Sequence, residues 1–306
     1  MKQIHSVLIY GYGVMGRGVA KTFAAAGFDT TVRSARAAEI VDLPSGVRAV
    51  SVLPQTAPDL IIELVPEDVP TKQKVFAEIE AAYVGQDYLL GTGTSGLDLI
   101  ELAATLAAPE KFLGIHYFMP ADTAPLVEVM GGPASSRESV DATAAALHRS
   151  GKETVVLYKP IVGFLVNRLQ HAILSEAYYL IENGVADASA IDHAARRLLA
   201  PRMCLNGLIQ QKDISGLKIH AEAQASIVPE LFHTNVANPM LQAMARRGET
   251  GLAAGKGFYD WAGCDTDAVR KQASTQLSAL LQFIDYALPK ALPNTEPKPR
   301  DPRQPG

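Results

Sequence analysis

The chain has 306 residues, 48% of them apolar and 20% charged, an ordinary balance for a globular protein and, at roughly 150 residues per domain, enough for two domains. Lys and Arg number 28 against 32 Asp and Glu, a formal net charge of -4, so the basic excess of a nucleic-acid binder is missing. Two cysteines, Cys204 and Cys264, are too few for a disulfide framework and lack metal-ligand spacing. No apolar run reaches the about 18 residues of a membrane span, and the N-terminus does not read as a signal peptide. A cytoplasmic protein with reduced thiols is the expectation.

In chain order, Val7-Leu8-Ile9-Tyr10 reads as a buried strand running into glycines, followed by helical spacing over 14–26. Thr30-Thr31-Val32 is β-branched, and Leu60–Leu64 is apolar. Residues 70–82 read as a helix with Pro70 near its start. Further strands are predicted at 88–90, 112–115, 126–129 and 153–158. Strands alternating with helices predict an α/β fold: an N-terminal Rossmann-type, doubly wound parallel sheet over 1–159. From Pro160 the pattern turns helical, with segments at 163–183, 187–200, 215–228, 238–248 and 265–286. That predicts an all-helical C-terminal domain over 160–286. Six prolines in the last stretch forbid a helix and predict an extended tail over 287–306.

Gly11-Tyr12-Gly13-Val14-Met15-Gly16 is a G-x-G-x-x-G placed between a predicted strand and a predicted helix, the context in which this motif cradles a dinucleotide pyrophosphate. Gly11 permits the turn, Gly13 admits the pyrophosphate, and Gly16 lets helix and strand approach. The N–H groups at Val14 and Met15 open the helix toward the phosphates. NAD sites usually carry a carboxylate about 20 residues on, for the ribose 2′-OH. Here the second strand ends in Arg33-Ser34-Ala35-Arg36. Arg33, Ser34 and Arg36 suit a 2′-phosphate, so the expected cofactor is NADP, with NAD as the alternative.

His116 follows a strand, at the end of the sheet where ligands bind in doubly wound folds. Twelve residues on, Glu128 interrupts Leu126-Val127-Glu128-Val129. A carboxylate in so apolar a run needs a partner, and a His–Glu pair would make an oriented general base. The same spacing also fits a core histidine with Glu128 on a half-exposed edge. Ser95, in Gly93-Thr94-Ser95-Gly96, ends another strand, and Asn167 puts an amide on an apolar helix.

These stretches together resemble the L-3-hydroxyacyl-CoA dehydrogenase family over nearly all of residues 5–261. The matching segments are GYGVMG at 11–16, LIIELVPEDVPTKQKVF at 60–76, TSG at 94–96, GIHYFMP at 114–120, PLVEVM at 125–130, PIVGFLVNRL at 160–169 and GKGFYDW at 255–261. The resemblance implies His116 and Glu128 as the catalytic pair. It implies Ser95 and Asn167 at the substrate oxygen and nicotinamide, Glu67 and Lys72 at the cofactor, and a homodimer formed through the helical domain. The chain departs from the family at Arg33, where an acid is usual, and at Met119, where an amide is usual. It also lacks the long helical clasp that acyl-CoA members carry between the second strand and the LIIE strand.

The segment Ala200–Gly207, with Arg202 five residues before its glycine, is similar to gulonate-type and carnitine-type dehydrogenases, which act on free hydroxy acids. Arg202 is therefore the candidate substrate-carboxylate ligand. The expected protein is an NADP-preferring oxidoreductase interconverting a small 3-hydroxy acid and its 3-oxo acid. The alternatives are a short-chain L-3-hydroxyacyl-CoA dehydrogenase using NAD, and a dinucleotide-binding protein without activity. No metal is expected.

Overall fold

The computed structural model describes residues 3–289 and 297–298; most of the expected proline-rich tail lies outside the described residues. The chain divides into two compact units, Met1–His171 and Ala172–Gly306, each described by itself.

The first unit is built on eight strands: β1 Ser6–Tyr10, β2 Asp29–Arg33, β3 Val47–Val50, β4 Leu60–Glu63, β5 Leu89–Thr92, β6 Phe112–Tyr117, β7 Leu126–Gly131 and β8 Glu153–Leu157. Their order in the sheet is β3-β2-β1-β4-β5-β6-β7-β8. The order reverses between β1 and β4, which makes the crevice at their carboxyl ends the ligand position of a doubly wound sheet. Helices α1 Val14–Ala25 and α4 Arg137–Arg149 lie on one face, and α2 Val69–Ala82 and α3 Leu99–Ala103 on the other. Alternate residues along each strand supply the two cores: Val7 and Ile9 to one, Leu8 and Tyr10 to the other. Burial on both faces is why these strands read as continuous apolar runs.

Two details differ from the parallel sheet expected. β6 and β7 are antiparallel, because residues 118–125 are too short a link for a crossover; α4 then returns the chain to a parallel β8. Strand β3 was not anticipated. Its Val47-Arg48-Ala49-Val50 carries little apolar signal, and it forms as an edge strand paired to β2.

The division between the two units falls at His171, inside the helix α5 Val166–Glu182, whose start is fastened to the sheet through backbone N–H groups, as described below. The second unit is helical: α6 Ala188–Ala194, α7 Ala200–Asn206, α8 Gln210–Ser215, α9 Leu217–Ile227, α10 Pro239–Arg246 and α11 Thr266–Gln282. No named strand occurs among its described residues. In this unit only Asn238 and Met244 are buried among the described residues. No helix among the described residues is long and apolar enough to cross a membrane.

Candidate active site

His116 and Glu128 stand directly opposite each other in the β6–β7 ladder, so the twelve-residue spacing is a consequence of hairpin register. His116 Nδ1 lies 2.7 Å from Glu128 Oε2. The other carboxylate oxygen, Oε1, accepts from the Leu165 N–H at 2.8 Å and the Val166 N–H at 3.0 Å. These are backbone donors at the start of α5, where helical N–H groups have no helical partner. Burial alone would raise the Glu128 carboxyl; the His116 hydrogen bond and the Val166 and Leu165 N–H groups outweigh it and hold the group below its ordinary value. A buried ionised carboxylate thus fixes Nδ1 and leaves Nε2 as the atom free to exchange a proton.

The imidazole is flanked by two rings, Phe118 at 4.5 Å and Phe164 at 5.0 Å between centroids. Phe164 is fully buried and has a positive φ of 52°, an uncommon conformation for a bulky residue that costs of order 1–3 kcal/mol. Its ring tip lies 2.8 Å from where a Cβ on Gly114 would stand. Glycine at 114 is therefore what allows Phe164 to reach the histidine.

A second network holds the loop after β5. Glu67 Oε1 accepts from Thr94 Oγ1 at 2.6 Å, the Ser95 N–H at 2.7 Å, the Gly96 N–H at 3.1 Å and Ser95 Oγ at 3.2 Å. Burial opposes the charge on Glu67, but these donors and Lys72 prevail and lower its pKa. Lys72 is fully buried. Its Nζ meets Glu63 at 3.0 and 3.1 Å and Glu67 Oε2 at 3.5 Å, while Thr92 Oγ1 donates to Glu63 at 2.7 Å. Asn167, in the first turn of α5, donates from Nδ2 to the Ser95 carbonyl at 3.2 Å. The first unit thus brings together Ser95 after the carboxyl end of β5, His116 near that of β6, Glu128 near the amino end of β7 and Asn167 at the start of α5.

At the switch point, α1 begins at Gly13 with no side-chain cap, and its first backbone bond runs from Arg17 N–H to the Gly13 carbonyl. The N–H groups of Val14, Met15 and Gly16 precede that first bond and have no helical acceptor, the donor set an anionic pyrophosphate needs. Gly11 has φ 109°, and a Cβ on Gly16 would stand 2.0 Å from the Gly11 carbonyl oxygen. Around Gly13 no atom lies within 4 Å of an added Cβ, so the approach is open. These residues fit a dinucleotide.

Two family models match the chain in tandem: the 3-hydroxyacyl-CoA dehydrogenase NAD binding domain over residues 47–161, and the C-terminal domain of the same family over 163–261. The chain belongs to the 3-hydroxyacyl-CoA dehydrogenase family. It is 26% identical to 5-formyl-3-hydroxy-2-methylpyridine 4-carboxylate 5-dehydrogenase of Mesorhizobium japonicum, over 92% of this chain and 99% of that one. A crystal structure of an enzyme with that activity, described as an NAD+ dependent dismutase, superposes with a TM-score of 0.84 at 25% identity, covering 93% of this chain and 99% of the other. The 3-hydroxyacyl-CoA dehydrogenase of Archaeoglobus fulgidus superposes with a TM-score of 0.67 at 29% identity, covering 92% and 99%. The protein is accordingly an oxidoreductase of the NAD(P)-dependent type that acts on CH–OH groups.

Within this 3-hydroxyacyl-CoA dehydrogenase family member, several expected cofactor ligands besides Glu67 are already engaged. Lys72 is sealed between Glu63 and Glu67, so its ammonium acts on the Ser95 loop through Glu67 and does not face a ligand directly. Arg33 lies over the Tyr10 ring at 4.6 Å and donates to Glu78 Oε1 at 3.1 Å. Tyr10 donates to Glu78 Oε2 at 2.7 Å, and burial together with this carboxylate pushes the phenol up to about 12. The Ser34 hydroxyl accepts from the Arg36 N–H at 3.2 Å, and the Arg36 side chain is exposed.

Arg202 belongs to the second unit. It lies on α7, at the wall of a largely apolar cavity of about 780 Å³ that also exposes Glu176 and Lys212. Glu63, Glu78, Thr92, Phe118 and Phe164 were not anticipated as site residues. The two phenylalanines lay inside recognised motifs, and Glu63 in an apolar strand carried the same signal as Glu128. Glu78, on a helix with mixed polar spacing, carried none.

Proposed function

We propose that this enzyme is an NADP-preferring dehydrogenase that interconverts a small free 3-hydroxy acid and its 3-oxo acid. The observation that carries the free-acid reading is the connection from β2 to β4. It holds only a single 3-10 turn, Ala37–Glu39, and the edge strand β3, with no helical clasp for a CoA arm. The relative whose name puts a formyl group and a carboxylate on neighbouring ring positions supports a free-acid substrate.

In oxidation, His116 Nε2 takes the substrate hydroxyl proton, and Glu128 balances the imidazolium that results. In reduction the same atom returns the proton. Ser95 and Asn167 hydrogen-bond the reacting oxygen and orient it. Arg202 holds the substrate carboxylate as a planar two-donor ligand. A bound nicotinamide dinucleotide supplies the hydride donor or acceptor. Gly11, Gly13, Val14, Met15 and Gly16 cradle its pyrophosphate, and Glu67 with Lys72 keeps the Ser95 loop beside it. The choice of NADP over NAD is supported by the missing carboxylate at the end of β2 and by the exposed Arg36. The homodimer is supported by the sparse burial of the helical unit.

The test is oxidation of NADPH and NADH by the purified protein across a panel of free 3-oxo acids. Turnover with NADPH at least about tenfold above NADH, the worth of one charge-assisted contact, is expected. Dinucleotide binding without turnover on any oxo acid or thioester would instead favour a binding protein without activity.

A further inference from the structure

The end of β2 is where a doubly wound fold reads the adenosine ribose, and here it holds an internal ion pair. Arg33 is tied to the phosphate loop by its own backbone: its carbonyl accepts the Gly11 N–H at 3.0 Å. Its side chain, however, turns onto the α2 face. The guanidinium packs on Tyr10, its register neighbour in β1, and donates to Glu78. Glu78 is fixed in turn by the Tyr10 hydroxyl. The Arg33 side chain is 19% exposed, and its Nε is buried without a hydrogen-bond partner. The cation is therefore present beside the ribose position but neutralised, with one donor unused.

We propose that Glu78 is the residue that sets the discrimination between phosphorylated and unphosphorylated dinucleotides, by holding Arg33 in this pair. The proposal rests on the assignment of the glycine loop to a dinucleotide and deepens the cofactor choice given above. A ribose 2′-phosphate carries close to two negative charges. It must share Arg33 with a carboxylate that itself repels the phosphate, so Arg36 is the one cation of the pair it meets unopposed. A ribose 2′-OH has no such conflict. Removing the charge at position 78 frees the guanidinium for the phosphate while leaving the unphosphorylated cofactor nearly unaffected.

The experiment measures the dissociation constants of NADPH and NADH by calorimetry, without substrate, for wild type, Glu78→Gln, Arg33→Met and the double variant. Glu78 is partly exposed, and circular dichroism verifies that each variant folds. Glu78→Gln is expected to tighten NADPH about tenfold, near the lower worth of one charge-assisted hydrogen bond. NADH should move by less than about threefold, and the gain should vanish when Arg33→Met is also present. The proposal is overturned if Glu78→Gln leaves NADPH unchanged, tightens both cofactors alike, or keeps its gain without Arg33. A wild type that favours NADH refutes the NADP preference alone, since the response to Glu78→Gln is still read on NADPH. A wild type that binds neither cofactor refutes both.

Discussion

Replacing Glu128 by glutamine isolates the charge of the buried carboxylate, because shape and volume are nearly conserved. The carboxylate serves three donors, with Oε1 on the Leu165 and Val166 N–H groups and Oε2 on His116 Nδ1. A glutamine has one acceptor oxygen and one amide nitrogen. Its oxygen goes to the two backbone N–H groups, since leaving two buried donors unmet costs about 1–3 kcal/mol each. The amide nitrogen then faces Nδ1 and donates to it. That forces the neutral imidazole to carry its proton on Nε2, the atom that must accept one. A tautomer trapped this way costs up to about 10⁴-fold in kcat, and loss of general acid–base catalysis costs about 10²–10⁴-fold. The assay is kcat for oxidation of the hydroxy acid at neutral pH, together with the dissociation constant of the dinucleotide. The expected result is kcat lower by at least about 10²-fold with dinucleotide affinity unchanged. A kcat within about threefold of wild type would refute the view that Glu128 orients His116.

The same carboxylate gives a pH dependence. Its pKa is lowered in the folded state, so it contributes stability above the unfolded carboxyl value of about 4.3 that is lost as pH falls through the folded value; melting curves of wild type and Glu128→Gln should converge in acid and separate above about pH 5. Gly114→Ala would place a Cβ 2.8 Å from the Phe164 ring and 3.0 Å from Leu99; overpacking of this kind costs about 1–3 kcal/mol, to be read as a lower melting temperature together with a fall in kcat, and an unchanged kcat would show that the Phe164 ring does not position His116. Arg202→Met should raise KM for the free acid with little change in cofactor affinity, and an unaltered KM would remove Arg202 from the substrate site. Light scattering at micromolar concentration should give twice the chain mass; a monomer would contradict the expected homodimer through the helical domain.

Much of the first unit was legible because its central strands are buried on both faces and α1 and α2 begin at glycine and proline signals. Val7–Tyr10, Leu60–Leu64 and the G-x-G-x-x-G could be placed by pattern alone. The His116–Glu128 pair was legible through an energetic conflict: a carboxylate between valines demands a partner. What sequence could not supply was direction. Arg33 was visible as a cation at the right position, yet its pairing with Glu78 joins residues 45 apart and leaves no local pattern. Lys72 was placed at the cofactor by the family resemblance, and nothing local says that Glu63, nine residues away, encloses it. The antiparallel β7 followed from the short link after Tyr117, a length signal outweighed by the alternating pattern around it. The positive φ at Phe164 has no compositional mark beyond the preceding Gly163.

The most direct test of the central claim compares kcat/KM for acetoacetate and for acetoacetyl-CoA on the purified enzyme with NADPH. A free-acid dehydrogenase without a CoA clasp is expected to favour acetoacetate by at least about tenfold, or about 1.4 kcal/mol of transition-state binding. A preference of that size for acetoacetyl-CoA would contradict the account and make the protein a short-chain 3-hydroxyacyl-CoA dehydrogenase.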